Sequence, residues 1–170
     1  MTWLFLDIDG VLNHEDWYKG LHEGKEVKDI PYPISEFDPA CVERVNRILN
    51  ETGARLVVSS SWRLAKDLPF VFQKVGLPEV FDRTPVLWKD RGWEIEKFLQ
   101  EHDTMAALCG KNYAILDDDN DFDHWQKRYC LFRTAACSLD EPYKKNEGTG
   151  LTEKLTERVI KHLKKYGNSK

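Results

Sequence analysis

Three short apolar runs stand out along the chain, each ending abruptly in polar residues. Trp3 to Ile8 carries no polar alternation, as expected of a strand covered on both faces. Arg55 to Ser60, with Leu56, Val57 and Val58 at its centre, and Tyr113 to Leu116 read the same way, and Tyr129 to Phe132 predicts a fourth strand. Between them the apolar positions fall at helical spacing. Asp38-Pro39 starts one helix, Val42, Val45, Ile48 and Leu49 mark its buried stripe, and Gly53 stops it. A second helix covers Leu68 to Val75 before Gly76. A third, capped by Asp90, carries Ile95, Phe98, Leu99 and His102, and a last one carries Leu151, Leu155, Val159 and Leu163. Residues 13–37, with Gly20, Gly24, Pro31 and Pro33, read as an irregular, flap-like excursion, and 133–150 as a long surface connection. Strands alternating with helices predict parallel βαβ units, hence a three-layer α/β/α, Rossmann-like open sheet.

Composition narrows this picture. The 170 residues suit one domain, with 41% hydrophobic and 12% aromatic residues to supply a core. A net charge of −4 excludes a generally basic nucleic-acid coat protein but not a local basic patch. The four cysteines contain no C-x-x-C pair and read as reduced thiols, and no apolar run approaches a membrane span. These features predict a cytoplasmic protein without membrane association.

The chemistry sits where the strands stop. The runs finish in Asp7-Ile8-Asp9-Gly10, Ser59-Ser60-Ser61 and Asp117-Asp118-Asp119. In open α/β sheets the carboxyl ends of the strands form the ligand crevice, so parallel neighbours would gather all three clusters at one edge. Converging carboxylates repel and lose hydration, and oxygen-only ligands suit Mg²⁺, which recruits a substrate phosphate. Turn formation alone would explain one such cluster, but hardly three in this order. Calcium-loop spacing fails, because Phe122 and Arg128 stand where an EF-hand begun at Asp117 needs Gly and Glu. Neither a phosphate-binding Walker loop nor a nucleophile elbow is present.

LFLDIDGVL, LVVSSSWR, WKDRGWEIEKFL and AILDDD, in that order, resemble the four motifs of the haloacid dehalogenase (HAD) superfamily. They look like its small capless branch, which includes phosphatase domains of RNA repair and polynucleotide kinase-phosphatases. The resemblance implies a Mg²⁺-dependent phosphomonoester hydrolase with Asp7 as nucleophile and Asp9 as general acid and base. It implies Mg²⁺ held by Asp7, the Asp9 main-chain carbonyl, and Asp117 and Asp118, with Asp119 structural. It makes Ser59 the phosphoryl-binding hydroxyl, with Ser60 its rival, and Lys89 the balancing cation, with Arg91 as substitute. Gly10 permits a tight turn after the catalytic strand. Arg63 is a candidate ligand for substrate phosphate or, alternatively, a surface ion-pair partner. Fewer than 30 residues separate Asp9 from Asp38, which leaves room for a flap but not for an independently packed cap. An open site suits a bulky phosphorylated substrate such as a nucleic-acid 3′-phosphate end. The alternatives are a phosphatase of a small metabolite or nucleotide, and a non-catalytic metal- or phosphate-binding module.

Overall fold

A computed structural model describes residues 1–22, 32–134 and 150–167. Its five strands are β1 (Trp3–Leu6), β2 (Arg55–Val58), β3 (Asp82–Arg83), β4 (Tyr113–Asp117) and β5 (Leu131–Arg133). They form one parallel sheet in the order β3-β2-β1-β4-β5. The helices are α1 (Glu15–His22), α2 (Pro39–Thr52), α3 (Leu68–Val75), α4 (Arg91–His102), α5 (Thr104–Cys109), α6 (His124–Tyr129) and α7 (Glu153–Gly167).

Side chains alternate across each strand and supply two separate cores. Leu4, Leu6, Leu56, Val58, Ala114 and Leu116 pack on one face with the apolar stripes of α2, α3 and α7. Trp3, Phe5, Val57 and Ile115 pack on the other with Ile95, Phe98 and Leu99 of α4. Both faces are therefore dry, which explains the absence of polar alternation in the strands. This is the α/β Rossmann-like sheet expected from the sequence.

Local signals set the ends of the elements. Asp38 caps α2 through a 2.8 Å bond from the Ala40 amide, Pro39 fills the first turn, and Gly53 closes it with a left-handed backbone. The third helix begins after Asp90 as expected, although the Asp90 side chain makes no cap bond. The excursion at 13–37 is more regular than its composition suggests, since α1 occupies 15–22; Glu15 and Asp16 in its first turn favour that helix end. Residues 23–31 of that excursion, and 135–149 of the later connection, lie outside the described residues.

Register carries the functional consequence. Leu6 stands level with Val58 on one side and Leu116 on the other, so Asp7, Ser59 and Asp117 follow at one height. The ladder continues past the strand ends, with the Asp7 amide bonded to Leu116 O at 2.9 Å and the Ser59 amide to Leu6 O at 3.0 Å.

Candidate active site

The strand ends converge as the three clusters predict. Asp7, Asp117 and Asp118 are buried, and one carboxylate oxygen of each lies within 4.8 Å of the others. Beyond β1 the chain turns tightly at Gly10, whose φ is +75°. A Cβ there would come within 2.5 Å of the Asp118 carboxyl, so glycine is required for both conformation and space. Thr134 Oγ1 donates to Gly10 O at 2.7 Å and pins the same turn from the β5 side.

The basic side chain that the structure sets against the acid cluster is that of Arg91, not Lys89. Arg91 Nη1 lies 2.7 Å from Asp7 Oδ1 and 2.9 Å from Asp117 Oδ2. Lys89 is exposed and makes no ion pair among the described residues. Helix phase explains the difference. Arg91 is the first residue of α4, whose side chains tilt toward the helix start and hence toward the strand ends. Lys89 precedes the cap, in the connecting loop.

One guanidinium does not neutralise three carboxylates. Burial raises the Asp7 pKa despite Arg91. Burial and the Asp7 charge raise that of Asp117 well above the ordinary range. Asp118 is pushed up to about 6 by burial and by the charges of Asp7 and Asp119. Asp117 has its oxygens engaged, Oδ1 by the Asp119 amide at 2.8 Å and Oδ2 by Arg91. Asp118 Oδ2, by contrast, is buried without a hydrogen-bond partner. An orphaned carboxylate oxygen beside two further carboxylates, with a residual charge of −2 after Arg91, fits a hard divalent cation such as Mg²⁺.

Asp9 stands apart from this group. Its carboxylate, only partly buried, accepts bonds from the Trp62 indole at 3.1 and 3.2 Å and from the Asn13 amide at 2.8 Å. It is thus not one of the three carboxylates whose oxygens lie within 4.8 Å of one another. The two serines also divide. Ser60 Oγ accepts from the Trp62 amide and acts to lower the Asp7 pKa, whereas Ser59 Oγ is buried with no partner.

Arg63 is not a surface residue but a largely buried one, engaged by main chain and by Glu94. Its Nη1 donates to Ser59 O and Ser60 O, both at 3.0 Å, and Nη2 pairs with Glu94. Glu94 Oε1 in turn accepts the Leu87 amide at 2.8 Å. This buried pair ties the serine-bearing strand end to the helix that carries Arg91. Glu94, Trp62, Asn13 and Thr134 were not legible as site residues, because each acts through a partner distant in sequence or through main chain. A concavity of about 780 Å³ between α3 and β3 is lined by none of the acid-cluster residues.

Among the described residues no helix is long and apolar enough to cross a membrane. No curated protein and no solved structure matches the chain. A family model described as the HAD domain in Swiss Army Knife RNA repair proteins matches residues 3–142, which include all four motifs and the whole acid cluster. A HAD-type domain implies hydrolysis of the phosphatase kind. The parallel sheet, the carboxylates gathered at its strand ends and the family match agree: the chain belongs to the HAD superfamily, in the branch of RNA-repair domains.

Proposed function

We propose that the protein is a Mg²⁺-dependent phosphomonoesterase that works through an aspartyl-phosphate on Asp7 and acts on the phosphorylated end of a nucleic acid. The observation that carries the reading is the buried trio of Asp7, Asp117 and Asp118, sharing one guanidinium and leaving Asp118 Oδ2 unpartnered. Asp7, Asp118 and Asp117 would hold the ion, which when bound would polarise a phosphoryl oxygen and offset the charge of the carboxylates.

Asp7 attacks phosphorus in line, and the bond from phosphorus to the ester oxygen breaks. Burial makes this carboxylate more basic while Arg91 favours its ionised form. Asp9, held by Trp62 and Asn13, gives its proton to the departing oxygen. It then takes a proton from the water that attacks the phosphoryl group, freeing inorganic phosphate and restoring Asp7. Ser59 Oγ, lacking any partner, is available to donate to a phosphoryl oxygen. Arg91 supplies positive charge where the equatorial oxygens gather negative charge.

The family's description names RNA repair proteins, which favours a nucleic-acid end over a small metabolite. The test is phosphate release under one Mg²⁺ concentration from 3′- and 5′-phosphorylated oligonucleotides, mononucleotides, sugar phosphates and p-nitrophenyl phosphate. Turnover that is abolished by chelator and highest on an oligonucleotide end supports the proposal. Faster turnover of a sugar phosphate overturns the substrate, and none on the whole panel overturns the activity.

A further inference from the structure

At the edge of the sheet, β5 lies between the end of α6 and the outer turns of α7, where the surface forms an open groove of about 330 Å³. Four cations line it: Arg128 from α6, and Arg158, Lys161 and Lys165 from α7. A fifth, Lys111, places Nζ 3.9 Å from the ring centroid of Tyr129 and 5.6 Å from that of Tyr166, two further lining residues. No acidic residue lines the groove, and none of the five cations pairs with a carboxylate among the described residues. Cations on the neighbouring face of α7 and α2 are paired instead. Lys164, the neighbour of Lys165 on the same helix, bonds Glu51 at 2.6 Å, and Arg47 pairs with both Glu51 and Glu153.

Removing these five charges from the net −4 leaves −9 on the rest of the chain, so positive potential is concentrated here on an otherwise acidic protein. Burial, with Lys111 and Lys165 adding to it, holds the pKa of groove residue His162 below its ordinary value. The cations alternate with aromatic faces, since Tyr129 and Tyr166 are only half-buried and Trp125 lies 4.4 Å from Tyr129. Unpaired cations beside aromatic rings are the two elements that hold single-stranded nucleic acid, through phosphate contacts and base stacking. Position adds a third argument. Phe132 lines the groove, and the next residue on β5, Arg133, donates Nη2 to the Asp118 main-chain O at 3.0 Å, so one end of the groove adjoins a residue bonded to the acid-cluster segment.

We infer that this groove seats the body of a single-stranded nucleic acid whose phosphorylated end enters the cleft at Asp7. Only the placement of that end rests on the phosphatase reading above; the groove's affinity for the strand does not.

The test pairs two measurements on the full chain. One is fluorescence anisotropy with a short single-stranded oligoribonucleotide ending in a 3′-hydroxyl, and the other is turnover of p-nitrophenyl phosphate. The combined variant Arg128→Gln, Lys161→Gln, Lys165→Gln removes exposed charges that touch no catalytic group. It should weaken oligonucleotide binding at least about tenfold at low salt and flatten the logarithmic salt dependence by about 2, at roughly 0.7 per lost cation. Aryl phosphate turnover should not change. A control variant, Lys74→Gln, Lys97→Gln, Lys154→Gln, should bind as the parent does.

Equal weakening by the control variant overturns the groove. So does a parent that hydrolyses aryl phosphate but does not bind the oligonucleotide, or groove-dependent binding to phosphatidylserine vesicles without oligonucleotide binding. A parent that hydrolyses no phosphoester yet binds the oligonucleotide through these cations upholds the groove and overturns the phosphatase reading instead.

Discussion

Two clusters of side chains able to ligate a metal occur among the described residues, and they differ in what is left over. In the first, Asp7, Asp117 and Asp118 crowd around one guanidinium and a carboxylate oxygen remains without a partner. In the second, His14, Asp38 and Cys41 also bring three ligand atoms within 4.8 Å, yet every atom is already engaged. His14 Nδ1 accepts the Trp17 amide at 3.2 Å, which leaves the ring proton on Nε2, donated to Asp38 Oδ2 at 2.8 Å. Asp38 Oδ1 caps α2, and the Cys41 thiol reaches Asp38 Oδ2 and Leu151 O, both at 3.6 Å.

Electrostatics separates the clusters further. Burial and the Asp38 charge push the Cys41 thiol up to about 12, so without a metal it stays protonated at neutral pH. Burial acts to raise Asp38, but bonds from His14 and the Ala40 amide hold it below its ordinary value. The second cluster is thus a hydrogen-bonded joint between residues 14–17, α2 and the approach to α7. The first bears uncompensated charge. Proximity of ligand atoms does not by itself define a metal site; unsatisfied, mutually repelling ligands do.

The largest expected contrast is in catalysis. Asp7→Asn should lower phosphate release by at least about 10³-fold, as loss of a nucleophile does. His14→Gln should leave turnover almost unchanged, and a comparable loss there would draw the second cluster into the mechanism. Next comes stability. Glu94→Ala strands the buried Arg63 charge and should cost about 3 kcal/mol in chemical denaturation, far more than an exposed pair such as Lys97–Glu101.

Opposite signs are expected within the two clusters. Without metal at neutral pH, Asp38→Asn should destabilise by about 2 kcal/mol, through lost hydrogen bonds to a charged group. Asp118→Asn should stabilise by about 1 kcal/mol, through relief of repulsion at a buried, unpartnered carboxylate. If both variants destabilise, the clusters are alike and the distinction fails.

The smallest effect is in pH. Asp118 has a folded pKa of about 6, above the ordinary value near 4, so the folded state binds the extra proton and this group's contribution falls as pH rises between them. The advantage of Asp118→Asn without metal should therefore be slight at pH 4 and grow until about pH 6. Asp38, held low, behaves inversely: its contribution is present near neutrality and fades as pH falls through its folded pKa. Denaturation midpoints of Asp118→Asn across pH 4–7, and of Asp38→Asn from pH 7 down to below pH 4, check both slopes.

Strand ends and helix starts were legible because they rest on local chemistry. Asp38-Pro39, Gly53 and the dry runs before Asp7, Ser59 and Asp117 each act within a few residues. Lys89 and Arg91 were not separable by type or spacing; only the phase of α4 aims one of them at the carboxylates. Arg63 escaped because its partner Glu94 lies 31 residues away on another element. The strand β3 has two residues and no apolar pattern, and is held by register with Val57 and Val58. The basic groove is invisible to any window, since Arg128 and Lys161 meet only through the sheet edge between them.

Calorimetric titration of Mg²⁺ into the parent protein and into Asp118→Asn tests the central assignment most directly. One ion bound by the parent, and none or a greatly weakened one by Asp118→Asn, is the expected result. Equal binding by the two proteins, or no binding by the parent, would contradict it.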